Sequence, residues 1–328
     1  MMKSRDRIRA LLQSEPLDRL PRTLWRHFPI DDETSTGLSD TTVAFQEMFD
    51  WDLVKVCFNS QYAAEDWGND IRWPQQRTVW SQVRSHCIKA AADWEQLQPL
   101  PVDRGAWGRE VDTIARISQR LCDVPVTATV FSPLYQAQVL AGDAVFEHLR
   151  DHPRRLHQAL DVIADTTARF TRSVLRSGAA GIFFAVSLAR TDWLSKTEYE
   201  EFGRPYDLKV LAAAEAAFFN ILHLHGEDLM FQELMDYPTH AVNWYDRGGG
   251  VPTLLEAYPL SDKILMGGIK HRGLEELSRQ NILADVEAMK EHLPPDRFFW
   301  ASGCDVPLAV TYERIWWLRE ALTPQKPR

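Results

Sequence analysis

The 328-residue chain is poor in cysteine, and its four, Cys57, Cys87, Cys122 and Cys304, form no CxxC pair. A disulfide framework of the small secreted kind is excluded, and reduced thiols are expected. Long hydrophobic runs are missing too. The longest uncharged apolar stretch, AAGIFFAVSLA at residues 179–189, falls well short of the roughly 20 residues a membrane-spanning helix needs. The N-terminal MMKSRDRIRALLQSEP carries charges at helical spacing where a signal peptide has an apolar core. Positive charge is in deficit: 37 Lys and Arg stand against 46 Asp and Glu, a formal net charge of -9. That balance repels a phosphate backbone and argues against a nucleic-acid partner. No low-complexity linker or solenoid-period repeat occurs. The expectation is a soluble cytoplasmic protein.

What the chain does have is core material, with 45% hydrophobic residues and 12 Trp. Eight short apolar or β-branched runs recur, at residues 23–28, 52–58, 124–131, 179–186, 219–225, 241–246, 263–269 and 298–304. Between them lie segments of helical periodicity, such as AVFEHLRDHPRRLHQALDVIADTTARFTRSVLRSG, which ends at a C-cap glycine, Gly178, and LEELSRQNILADVEAMKEHL. Eight alternations of strand and helix predict a closed α/β fold, a single (β/α)8 TIM barrel over residues 1–328. An open doubly wound sheet usually carries a glycine-rich turn after its first strand, and TLWRHFPIDDET has no glycine. Residues 59–120, rich in Trp and polar side chains without clean periods, read as an N-terminal excursion covering the barrel.

The motif NILHLHG, residues 220–226, sets two imidazoles two positions apart. Side chains alternate along a strand, so Ile221, His223 and His225 point one way and Leu222 and Leu224 the other. With the leucines toward the helices, the histidines face the barrel interior, and His225 ends its strand at the C-terminal mouth where barrel active sites form. Their Cα separation of about 6.6 Å lets both rings converge on one metal ion. Cys304, ending the last predicted strand, offers a third ligand. Two histidines and a cysteine with an open fourth position suit zinc. Hydrogen-bonded interior histidines and a small buried cysteine remain the alternative.

Other candidates are weaker in type or place. Asp52 precedes LVKV and reads as a catalytic carboxylate or a turn residue. Asp246 and Arg247 end a strand in NWYDRGGG, at the catalytic mouth or in a flexible turn. Gly267 and Gly268 allow close approach of a ligand or serve packing. Tyr206 is a substrate-binding candidate beside Asp207, which reads as a helix cap. Arg26 and His27 are the cationic candidates of the first strand. Glu227 and Asp228 follow the histidine pair as solvated acids or carboxylates near the metal.

Taken with FDWDLVKV, EDWG, PVTATVFSPLYQAQVLAG, GAAGIFFAV and EYEEFGRPYDLKVL, the motifs NILHLHG, AVNWYD, MGGI and GCDVP make the chain resemble the uroporphyrinogen decarboxylase superfamily, over most of its length. The resemblance implies a (β/α)8 barrel. In the superfamily's methyltransferase branch, it implies that a His-x-Cys and a distal Cys bind zinc, with a separate corrinoid protein delivering the methyl group to a thiol. Here His223 and Cys304 match, and His225 stands where that branch has cysteine. Exchanging thiolate for neutral imidazole raises the net charge of the site and weakens a zinc-bound thiolate as nucleophile. In the decarboxylase branch, an arginine motif holds the carboxylates of the tetrapyrrole and an Asp, matched by Asp52, orients it. The arginine motif is missing, and PIDDET follows Arg26 and His27. The expected function is thus a zinc-dependent methyltransferase working with a corrinoid protein and a thiol. Uroporphyrinogen decarboxylase and a noncatalytic tetrapyrrole-binding barrel are the alternatives. Homodimerisation is implied only by the decarboxylase branch.

Overall fold

A computed structural model describes residues 2–323. Seven parallel strands curl into one sheet: β1 (Val54–Val56), β4 (Val126–Phe131), β5 (Gly181–Val186), β6 (Ile221–Leu224), β7 (Ala241–Asn243), β8 (Ile264–Ile269) and β9 (Phe298–Ser302), adjacent in that order. Two further strands, β2 (Asp70–Arg72) and β3 (Gln82–Ser85), pair as an antiparallel hairpin outside it.

The first predicted strand differs. Residues 21–25 occupy the gap between β9 and β1 and close the barrel, but only as a single parallel bridge, Arg22 to Trp300. Thr23 N donates to Trp300 O at 2.8 Å, and Asp52 N donates to Arg22 O at 2.9 Å. Pro21 has no N–H to extend the ladder backward. Forward, the chain veers off, with Ile30 at φ 76°.

Strand parity sorts the core into two bodies. Val54, Val56, Leu222, Leu224 and Leu265 pack outward against the helices, whereas Leu53, Cys57, Phe183, Ile221, Met266 and Phe299 fill the barrel. Ile8 and Leu11 of the helix Ser4–Leu12 join the interior set, so this helix plugs the N-terminal end.

Local signals account for the helix limits. Pro153 divides the long predicted helix into Ala144–Asp151 and Pro153–Arg176, because proline removes a donor and crowds the preceding turn. Gly178, at φ 107°, follows the end of the second. The helix predicted from residue 274 begins later, as Arg279–Met289, where Ser278 caps its N-terminus. The excursion is shorter than residues 59–120, since Gly105–Arg120 is a regular helix anchored by the fully buried Trp107. What remains irregular carries Trp80 to the barrel mouth. No helix among the described residues is long and apolar enough to cross a membrane.

Candidate metal centre at the barrel mouth

A cavity of about 350 Å³ opens at the C-terminal ends of the strands, with His223, His225 and Cys304 in its wall. One ligand atom from each of these three lies within 4.8 Å of the other two. Parity delivers the histidines as expected, but not the cysteine. Cys304 shares the outward parity of Phe298, Trp300 and Ser302; β9 stops at Ser302, and a bend at Gly303 and Cys304 swings the thiol inward. That bend brings the chain against β7's continuation: a Cβ on Gly303 would lie 2.5 Å from the Cα of Tyr245.

The second layer orders the donors. Asn243 donates its two amide N–H groups to the carbonyls of Met266 and Ser302, at 2.9 and 3.0 Å. Its Oδ1 therefore faces His223 Nδ1, at 2.7 Å, and must accept from it. The tautomer with Nδ1–H leaves Nε2 free to bind a metal. Phe183 stacks on the same ring with centroids 4.8 Å apart. Burial pushes the His223 imidazole down to about 3 and lowers that of His225, keeping both in the neutral, ligating form. The Cys304 Sγ lies 3.5 Å from His225 Nδ1 and 3.0 Å from Asp305 Oδ1. Burial, then the Asp305 charge, pushes its thiol well above the usual range, so a thiolate here needs a cation beside it. Soft and borderline donors, neutral rings and a thiol short of positive charge together suit Zn²⁺.

The remaining candidates scatter. His27 does reach the cavity, edge-on to Trp80 at 4.7 Å, with burial pushing its imidazole down to about 4. Arg26 does not: its guanidinium turns away to the carbonyls of Leu308 and Val310, at 2.9 and 3.0 Å. Asp52, expected as catalytic, lies at the opposite end of the barrel, because it precedes β1. There it is fully buried, bonded by Arg7 and Arg19 and by the backbone N–H of Arg22. Asp246 is buried outside this cavity, where its Oδ1 accepts from the N–H of Gly268 at 3.1 Å. Gly268 sits at φ +84° with the Trp300 ring where a Cβ would project, so its role is close packing and not ligand approach. Tyr206 faces the helical layer, its hydroxyl 2.7 Å from His157 Nδ1. Asp207 is no cap; it is a buried carboxyl accepting from Tyr199 and Tyr237. Glu227 pairs with Arg272.

Sequence reading overlooked Lys55, Asn243, Asp305 and Tyr135. The first two carried a signal, as the one charge inside LVKV and the one amide inside AVNWYD, both with inward parity. Asp305 and Tyr135 enter the cavity from loop and helix, where no period announces them.

A profile of the uroporphyrinogen decarboxylase (URO-D) family matches residues 31–323. Methylcobamide:CoM methyltransferase MtbA of Methanosarcina acetivorans is 22% identical over 250 residues, 71% of this chain and 73% of that protein. Its counterpart in Methanosarcina mazei matches to the same extent. Among solved structures, a methyltransferase from Methanosarcina mazei superposes with a TM-score of 0.84 at 17% identity, covering 98% of both chains. A B12-independent methionine synthase from a Shewanella species reaches 0.59 at 12% identity over 93% of each. With its barrel and the match along nearly its whole length, the chain belongs to the uroporphyrinogen decarboxylase (URO-D) family.

Proposed function

We propose that this chain is a zinc-dependent methyltransferase that moves a methyl group between a corrinoid protein and a thiol. The observation that carries the reading is the convergence of His223, His225 and Cys304 on one point in the wall of the mouth cavity. The relatives named methylcobamide:CoM methyltransferase support the reaction class.

Zinc held by these three residues supplies Lewis-acid chemistry, lowering the pKa of a thiol that reaches it. The chain's own groups do the rest. Asn243 holds His223 in the tautomer that presents Nε2. Asp305 Oδ1 accepts a hydrogen bond from the Cys304 thiol. Burial first raises the Asp305 carboxyl, but His27, the Cys304 hydrogen bond and Lys55 together hold it below the usual range, so it stays an acceptor. Trp25, Phe131 and Phe183 line the cavity with apolar surface that excludes water from the reacting groups. At about 350 Å³ the cavity is at the small end for ligand sites, suited to the acceptor thiol. The methyl donor then arrives on the cofactor of a separate protein docked at the mouth. The decarboxylase reading lacks the arginine motif of that branch, and Arg26 is turned away to backbone carbonyls.

Elemental analysis of untagged protein tests the reading. Near-stoichiometric zinc in wild type, lost in both His223→Ala and Cys304→Ala, is the expected result. Folded wild type that takes up no zinc overturns it.

A further inference from the structure

A second cavity lies between the helix Leu254–Ala257, which follows β7, and the helix Arg279–Met289, which follows β8, and it shares no residue with the mouth cavity. Its volume is about 310 Å³, at the small end of the range for ligand sites. Leu254, Leu255, Ala288 and Met289 give it apolar walls. Gly267 of β8 makes the room. A Cβ there would lie 2.9 Å from Asp246 Oδ1 and 3.1 Å from Leu254 Cδ2, so the bare backbone lets both side chains rest on the sheet.

The polar group in this wall is half used. Asp246 is only 4% exposed and its Oδ1 accepts from the N–H of Gly268 at 3.1 Å, but its Oδ2 has no hydrogen-bond partner among the described residues. The neighbouring cation is committed elsewhere: Arg247 donates from Nη1 to Asp285 Oδ1 and from Nη2 to Gly268 O, each at 2.7 Å. Asp285 offsets the Arg247 charge, which leaves the negative charge of Asp246 as the surplus. Burial raises the Asp246 carboxyl above the usual range, against the pull of the Gly268 N–H and Arg247, and a cation beside it offsets that cost. His292, also in the wall, donates Nδ1–H to Ala288 O at 3.1 Å, so its neutral ring keeps Nε2 as a second acceptor. A buried acceptor without a donor costs stability until water or a ligand supplies one.

We infer that this cavity is a second ligand site, one that takes a small ammonium compound with an apolar body, its cationic head on Asp246 and its body against Leu254, Leu255 and Met289. A carboxylate in the same place meets the like charge of Asp246, and a purely apolar molecule leaves Oδ2 without a donor. The site is separate from the metal centre, and it stands whether or not zinc binds at His223, His225 and Cys304.

Titration of the full chain with benzylammonium, followed by ligand-observed NMR, tests it, with benzyl alcohol as the uncharged probe and benzoate as the anionic one. Wild type is expected to bind benzylammonium, more weakly as salt rises, benzyl alcohol about tenfold less tightly or worse, and benzoate not at all. Asp246→Asn keeps an acceptor for the Gly268 N–H and removes the charge, so it should lose about tenfold or more of the benzylammonium affinity. Ala288→Trp, at an exposed position of its helix, fills the cavity, leaves the carboxylate in place and should abolish binding of both probes. Benzyl alcohol or benzoate binding as tightly as benzylammonium overturns the assignment. So does either variant, shown folded by its melting curve, binding benzylammonium like wild type, or folded wild type binding none.

Discussion

Asn243 Oδ1 and His223 Nδ1 lie 2.7 Å apart across neighbouring strands, and the amide's two N–H groups are already committed to backbone carbonyls. The contact therefore has one polarity, and it frees Nε2. Asn243→Leu is expected to lower zinc affinity by about 10- to 100-fold, as loss of an outer partner commonly does. Competition against a chelator of known affinity measures it. Unchanged affinity in a folded variant would show that the ring needs no such support.

Gly303 makes the bend that brings Cys304 inward. A Cβ there would fall 2.5 Å from Tyr245 Cα and 2.9 Å from Trp244 O, both backbone atoms that cannot swing aside. Gly303→Ala should cost about 1–3 kcal/mol of stability through forced backbone shifts. Zinc per folded chain should fall with it, as the thiol moves off the shared point. Wild-type stability and zinc content in the variant would mean that the neighbouring strand end yields.

Asp52 separates structural from catalytic readings. In Asp52→Ala the buried guanidinium of Arg7 and the nearly buried one of Arg19 lose a shared carboxylate. Denaturant unfolding should register a loss of about 3–5 kcal/mol. Zinc stoichiometry of the folded fraction should stay at the wild-type level, because the residue sits at the far end of the barrel. A variant of full stability that has lost only methyl transfer would contradict the structural assignment.

Asp207 predicts a pH effect of defined sign. Burial pushes its carboxyl from 3.8 up to about 7, although the Tyr199 and Tyr237 hydroxyls bonded to it pull the other way. Between those values the folded chain holds a proton that the unfolded chain releases, so stability falls as pH rises through that window. Asp207→Asn keeps an acceptor for both hydroxyls and removes the titration. Its melting temperature should decline less between about pH 4 and pH 7 than that of wild type. Burial also raises Asp32 to about 6 and Glu110 to about 8, so the variant's profile is flatter and not level. Parallel wild-type and variant profiles would exclude Asp207 as a contributor.

Much of the barrel was legible because its rules are local. Seven of the eight predicted runs are strands, and their alternation places His223, Phe183 and Ile221 inside. The eighth, residues 23–28, has the composition of a strand but keeps one bridge, since whether a segment pairs depends on donors that its neighbours supply. The candidate acids were the least legible. Asp52 and Asp246 sit at strand ends that look alike in one dimension, yet one caps the closed end of the barrel and the other anchors Gly268.

The sequence by itself determined the alternation of strand and helix, the inward face of each strand and the pair of imidazoles two residues apart, because side-chain direction in a strand follows from its own backbone period. Only the tertiary structure decided the rest. Cys304 joins His225 from 79 residues away against its own parity, through a bend that close packing on Tyr245 requires. Likewise, Asn243 chooses the His223 tautomer, and Lys55 meets the cavity with no acidic partner among the described residues, through contacts between strands that closure of the barrel alone brings together.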